Sequence, residues 1–284
     1  MTVLEVIQRS TDFLARKGVE APRLQIELLL AHLLEMPRLK LYLSFERTLA
    51  DAELATLREL VRRRGNREPL QHLIGTVSFC GYELRVSPDV LIPRPETELL
   101  AEQAWRWLAE RPGQSPAALD LGTGSGCLAV ALAAHCATAR ITAVDLSEAA
   151  LALARSNAAQ HRVGDRVVFL PGDWFAPLPP ASRFDLIVSN PPYVPTDEIQ
   201  RLEPEVRDHD PRLALDGGAD GLDCIRRLAR EAAPFLAVEG RLMFEFGDGQ
   251  AEAADQVMRS AGWVVEQVTA DYRGCPRILV ARRP

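Results

Sequence analysis

Residues 119–129 read LDLGTGSGCLA, and this stretch decides the fold. An apolar run, Ala117 to Leu121, ends in three alternating glycines, Gly122, Gly124 and Gly126, and an apolar helical pattern follows. Strand, tight turn and helix in that order open a β-α-β unit. A dinucleotide fingerprint would read G-x-G-x-x-G, but its final position here is Cys127, so the phosphate-binding reading fails on spacing. What remains is a turn, with Thr123 and Ser125 between its glycines, that lets a ligand lie against main chain, flanked by Asp120.

Working outward, short apolar strands alternate with helical patterns. The expected strands are 117–121, 140–145, 167–170, 184–188, 241–246, 264–268 and 277–281. Such alternation predicts an α/β fold whose sheet is largely parallel and covered on both faces, with ligands beyond the carboxyl ends of its strands. Those ends carry chemistry. Asp145 closes the second strand, 25 residues after Asp120, where a carboxylate suits the two hydroxyls of a ribose. Asp173 closes the third, with Trp174 beside it as a stacking surface. Each feature has an ordinary structural explanation, since strand-end aspartates often cap the next helix. Together they fit a cationic nucleoside better than a diphosphate. S-adenosylmethionine, with an amine, a sulfonium, a ribose and an adenine, is such a molecule.

The fourth strand empties into Ser189-Asn190-Pro191-Pro192-Tyr193. Proline has no N–H, so Pro191 and Pro192 offer carbonyl acceptors in a backbone of fixed φ, and the Asn190 amide oxygen is another acceptor. Together they make a rigid site for a planar NH2 group, with Tyr193 available to stack on its π system. An amide nitrogen needs such help because its lone pair is delocalised; the resonance is on the scale of the about 18–20 kcal/mol barrier to rotation. As a methyl group arrives, positive charge develops and the N–H groups become stronger donors. Two acceptors then strengthen in the transition state, each by about 1.5–3 kcal/mol. No strong general base is required, because the proton leaves after transfer.

The first seventy residues read as a small helical bundle, with helices from Val3 to Gly18, from Pro22 to before Pro37, and from a cap at Asp51 into Arg62-Arg63-Arg64-Gly65. The period then changes to two, 76–79 and 83–86 around Cys80-Gly81-Tyr82, which predicts a hairpin. In 91–100, LIPRPETELL, Pro95 and Glu96 open a helix with acids in its first turn. The expected organisation is a helical bundle over 1–73 that docks substrate, a hairpin linker over 74–94, and a catalytic domain over 95–284.

Five cysteines without a C-x-x-C pair predict neither disulfides nor a zinc site, but buried thiols in a reducing cytosol. No metal site is expected. Neither a signal peptide nor an apolar run of membrane-spanning length stands in the sequence, so a soluble cytoplasmic protein, monomeric and without a membrane partner, is expected. Net charge is -6. Residues 1–75 hold 12 Lys and Arg against 10 Asp and Glu, so residues 76–284 hold 21 against 29. That acidic balance makes the second part a poor partner for nucleic acid.

The glycine loop, Asp145 and Asn190-Pro191-Pro192-Tyr193 together resemble the class I S-adenosylmethionine-dependent amino-methyltransferases. LIPRPETELL ahead of them and PRLALDGGADGL (211–222) after them are similar to one branch, the peptide chain release factor glutamine methyltransferases of the HemK or PrmC family. The resemblance implies a Rossmann-like fold with a seven-stranded, mostly parallel sheet, a helical N-terminal domain and S-adenosyl-L-methionine as cofactor. The implied substrate is the glutamine of the Gly-Gly-Gln loop in bacterial class 1 release factors. By position it places cofactor contacts at Gly122 to Gly126, Asp145, Trp174 and Asn190. Substrate contacts fall at Asn190, Pro191, Pro192 and Tyr193, with Asn190, Pro191 and Tyr193 as the catalytic set. One departure is His209-Asp210, where a glutamate-proline pair is expected before the arginine; an acid is retained, and His209 reads as a solvated loop residue. The alternatives are methylation of an exocyclic amine in DNA or RNA, by the same logic, and a non-catalytic cofactor-binding protein that docks a partner through the bundle.

Overall fold

The computed structural model of the chain describes residues 1–110 and 115–283, which divide into two compact units. One comprises Met1–Thr76 with Glu203–His209, the other Val77–Leu202 with Asp210–Pro284.

The helical unit begins with α1 (Val3–Arg16), α2 (Pro22–Leu33), α3 (Arg38–Tyr42), α4 (Asp51–Gly65) and α5 (Leu70–Ile74). α1 starts at a reciprocal cap, Glu5 N donating to Thr2 Oγ1 (3.3 Å) and Thr2 N to Glu5 Oε2 (2.9 Å). Val3, Val6, Ile7 and Leu14 share the buried face of α1 and meet Ile26, Leu29, Leu30, Leu41 and Leu57 in one core. Each fully buried aliphatic side chain contributes about 1.5–3 kcal/mol. The cap expected at Asp51 falls one residue earlier. Ala50 has no side-chain acceptor, so Glu53 reaches back to accept from its N–H (2.8 Å), and Asp51 is the first helical residue. The short helices α3 and α5, each of five residues, are too brief to show a period in the sequence.

The second unit opens with a hairpin, β1 (Thr76–Phe79) and β2 (Tyr82–Arg85). Its turn is Cys80-Gly81, both at positive φ (50° and 81°), and Tyr82 has already joined the strand. Expected as a linker, the hairpin sends Phe79 and Leu84 into the core of this unit. After α6 (Pro95–Ala109) come β3 (Ala117–Leu121), α7 (Cys127–His135), β4 (Arg140–Asp145), α8 (Glu148–Gln160), β5 (Val167–Pro171) and β6 (Phe184–Ser189). The chain then gives α9 (Pro204–Arg207) to the helical unit before α10 (Asp223–Glu231), β7 (Leu236–Glu245), α11 (Ala251–Ser260), β8 (Val264–Ala270) and β9 (Pro276–Arg282).

These seven strands form one sheet in the order β5-β4-β3-β6-β7-β9-β8. The first five are parallel, and β9 runs antiparallel to both β7 and β8. The sheet is the seven-stranded, mostly parallel one expected, although β7 begins five residues before the expected Arg241. Alternate residues feed the two faces: Ala118, Leu186 and Val188 enter one apolar cluster, Leu119, Leu121 and Ile187 the other. The crossovers run from β3 outward to β4 and β5, then return to β6 on the other side of β3. That reversal leaves a crevice at the carboxyl ends of β3, β4 and β6, where the glycine loop and Asn190 emerge. Of the five cysteines, only Cys136 is buried; the other four are half-buried, and all are free. Among the described residues, no helix is long and apolar enough to cross a membrane.

Candidate active site

A cavity of about 260 Å3 occupies that crevice. Its wall takes Gly122, Thr123, Gly124 and Ser125 from the loop after β3, and Asp145 from the end of β4. Asp173 and Trp174 follow β5, and Asn190, Pro191 and Pro192 follow β6. Four aspartates line it, Asp89, Asp145, Asp173 and Asp216, and among the described residues no lysine, arginine or histidine does. Asp173 and Asp216 are paired with Arg227 and Arg212, which do not line the wall, so Asp89 and Asp145 supply the charge that repels phosphates and favours a cation.

The loop is shaped by its glycines. Gly126 has φ of 81°, and a Cβ placed on it would lie 2.9 Å from Ala154 Cβ, so α8 packs where a side chain would stand. The turn delivers Gly124 N to Asp145 Oδ2 (2.8 Å), while Asp145 Oδ1 accepts from Ser147 N (2.9 Å). Each carboxylate oxygen keeps a second lone pair, so Asp145 is held in place and still able to accept from a diol. Asp120 does not reach the wall. It is fully buried beneath the loop, its Oδ2 accepting from Thr123 Oγ1 (2.6 Å) and Ala129 N (3.2 Å). Burial pushes its carboxyl up to about 7, and its Oδ1 has no hydrogen-bond partner among the described residues. Trp174 holds an unusual φ of 54° for a bulky side chain, under Arg227, whose guanidinium lies 5.4 Å from the ring centre. Arg227 also grips both oxygens of Asp173 (2.8 Å each). Asp173 is thus an exposed, paired acid fixing the Trp174 corner, more than an open acceptor.

At the end of β6 Asn190, Pro191 and Pro192 all line the wall, and Tyr193 stands behind it. The wall does not include it; its hydroxyl donates to Glu245 Oε1 (3.1 Å), and burial followed by the Glu245 charge raises its pKa. Glu245, at the end of β7 and 1% exposed, also accepts from Thr97 Oγ1 at Oε2 (2.7 Å). Thr97 Oγ1 in turn accepts from Asn190 Nδ2 (3.0 Å). Sequence reading missed Thr97 and Glu245, because 93 and 148 residues separate the partners. The available signals were the place of Thr97 inside LIPRPETELL and a polar residue, Glu245, in the apolar run of β7.

The 211–222 motif braces the same corner. Val194 N donates to Leu215 O and Gly217 N to Val194 O (2.9 Å each). A Cβ on Gly221 would fall 2.3 Å from Tyr193 O. Gln250 Nε2 donates to Tyr193 O (2.9 Å), a further contact the sequence did not announce. The unusual Asp210 is buried and pairs with Arg94 of the LIPRPE segment, so the acid is used where the expected glutamate-proline pair is missing. His209 is half-buried and clusters with the helical unit.

The residues fit S-adenosylmethionine. An acidic, arginine-free wall suits a sulfonium and an ammonium, and Asp145 suits a ribose. Comparison with known proteins points the same way. Residues 5–75 match the PrmC N-terminal domain family and residues 97–203 the methyltransferase small domain family. The release factor glutamine methyltransferase of Geobacter sulfurreducens is 45% identical over 99% of this chain and 96% of its own length. That of Rhodopirellula baltica is 40% identical over 98% and 95%. The T. thermophilus 16S rRNA N2 G1207 methyltransferase, solved with AdoMet and guanosine, superposes with a TM-score of 0.52 at 19% identity over 74% of this chain and 50% of its own; that likeness shows the fold alone. With full-length identity at this level, the chain belongs to the release factor glutamine methyltransferases, S-adenosylmethionine-dependent enzymes of the class I methyltransferase fold.

Proposed function

We propose that this chain methylates the side-chain amide nitrogen of the glutamine in the Gly-Gly-Gln loop of bacterial class 1 peptide chain release factors. The observation that carries the reading is the cavity itself: acids and no cationic side chain on the wall, with Asn190, Pro191 and Pro192 at one end. The names of the full-length relatives supply the substrate class.

Bound S-adenosylmethionine supplies an electrophilic methyl group on a sulfonium. The protein's part is to orient and to accept. Asp145, Trp174 and the Gly122–Gly126 turn bind the nucleoside half, while Asn190 Oδ1 and the Pro191 carbonyl hold the two N–H groups of the glutamine amide. In-line placement supplies much of the rate. The acceptors strengthen as the nitrogen gains its fourth bond, and the proton departs to water afterwards, when it is acidic. The helical unit is the docking element in this reading. Its α3 leaves Leu39 and the adjoining Leu43 75% and 89% exposed, four residues apart on one side.

The deciding experiment incubates the protein with methyl-labelled cofactor and three acceptors in parallel: a class 1 release factor, its Gly-Gly-Gln variant with alanine for glutamine, and mixed DNA and RNA. Label is expected in the first alone. Label in nucleic acid would sustain the exocyclic-amine alternative, and none anywhere would favour a cofactor-binding protein without catalysis.

A further inference from the structure

We propose that Thr97 and Glu245 are positioning residues that decide which end of the Asn190 amide faces the cavity. The inference rests on the reading that Asn190 accepts a hydrogen bond from the substrate amide.

An asparagine side chain has an oxygen and an NH2 group that are nearly equal in shape, so packing alone does not orient it; only its hydrogen-bond partners do. Here the partners form a directed chain. Burial raises the carboxyl of Glu245, at the end of β7, to about 7; above that pH it is ionised, purely an acceptor, and takes the single Thr97 hydroxyl proton at Oε2 (2.7 Å). Its other oxygen takes the Tyr193 proton (3.1 Å). With its proton spent, Thr97 Oγ1 presents only lone pairs, and the group that meets them at 3.0 Å is Asn190 Nδ2. Asn190 Oδ1 is thereby turned to the cavity, whose wall contains both Asn190 and Thr97. Reversed, the asparagine would set its NH2 group against the NH2 of a glutamine side chain, donor to donor, and lose the acceptor that strengthens during transfer. Thr97 is 1% exposed, so water does not stand in for it.

A merely structural Thr97, filling space at the start of α6, predicts something different from a relay. The test uses the full-length protein, with the wild type assayed first. Absence of methyl transfer from the wild type to a release factor overturns the proposed function itself. With wild-type transfer established, Thr97→Val, which keeps the shape and removes the hydroxyl, is expected to lower kcat about 10-fold or more with cofactor Kd within about 2-fold. Thr97→Ser, which restores the hydroxyl, is expected to recover kcat to within about 3-fold. The discriminating measurement repeats Thr97→Val in an Asn190→Ala background, where its effect on kcat is expected to vanish because the group it orients is gone. Undiminished loss in that background, wild-type kcat in Thr97→Val, or failure of serine to rescue would each overturn the inference. If valine's second methyl is not tolerated and the variant fails to fold, Thr97→Ala is carried through the same cycle with the same expectation.

Discussion

The two ends of the cavity are built by different means. At β3 and β4 the wall is made by main chain and near neighbours: glycines at positive φ, and Asp145 gripped by N–H groups 21 residues before it and 2 residues after it. At β6 it is made by side chains that converge from α6, β7 and the residue before α11 across 52 to 148 residues of sequence. The first end is a product of local backbone geometry. The second exists only once the whole sheet has formed, so its parts are energetically coupled and its single substitutions should not add.

Four experiments sharpen or break that contrast. The largest expected effect is Asn190→Ala, which on the proposed mechanism removes one of the acceptors that strengthen in the transition state. A loss of about 100-fold in kcat is expected with cofactor affinity nearly unchanged, read by methyl-transfer kinetics and calorimetry. If cofactor binding falls in parallel, the two ends are not separable. Next comes Gly126→Ala at the backbone-built end. A side chain at φ of 81°, pressed on Ala154, is expected to cost about 2 kcal/mol of stability in denaturant unfolding. A neutral result would mean α8 yields, and the loop is less determined than its glycines imply. Third, Asp145→Asn leaves an oxygen for only one of the Gly124 and Ser147 N–H groups, sets an NH2 against the other and weakens acceptance from a ribose; cofactor Kd is expected to rise about 10-fold with kcat at saturation preserved. A drop in saturated kcat instead would link this acid to the chemistry.

The smallest effect concerns pH and the loop that follows the β6 corner. Burial pushes the Glu205 carboxyl up, but Arg67 and Arg64 donate to it and outweigh burial, holding it near about 2 against 4.5 in a free chain. A depressed folded pKa means that the contribution to stability is fully present above 4.5 and is lost as pH falls through about 2. The difference in thermal midpoint between wild type and Glu205→Gln should therefore be constant from neutrality to near 4.5 and shrink below it. A constant difference down to pH 2 would show that the charge on Glu205 contributes nothing.

That division also explains what was legible in the sequence. The strands, the glycine turn and Asp145 announced themselves because period, turn chemistry and strand-end position are local properties. So did the position of Asn190, Pro191 and Pro192 on the wall, since it follows from their place at the carboxyl end of a strand. Asp120 was placed among the ligand contacts because its neighbours suggested it, but alternation along β3 turns it beneath the loop, into the cluster side of the sheet. Tyr193 was read as a stacking ring, and Glu245, unseen from a distance of 52 residues, anchors its hydroxyl. Asp173 looked like an open acid until Arg227, 54 residues later, closed on it. In each case the deciding partner was remote. The early start of β7 has a similar cause: Leu236 pairs with Phe184 across a register shift before Arg241 meets Leu186, a remote pairing that extends the strand ahead of the expected start.

The excursion of Glu203–His209 into the helical unit has a practical consequence for anyone dividing this chain. The polypeptide passes between the units at three places, so neither is a contiguous segment and no single cut frees either intact. Expressing the sheet unit from residue 77 onward would carry Glu205 along without Arg64 and Arg67, leaving an acidic tether whose counter-charges had been discarded. Point substitutions on the bundle, and not its removal, are the clean way to ask what it contributes.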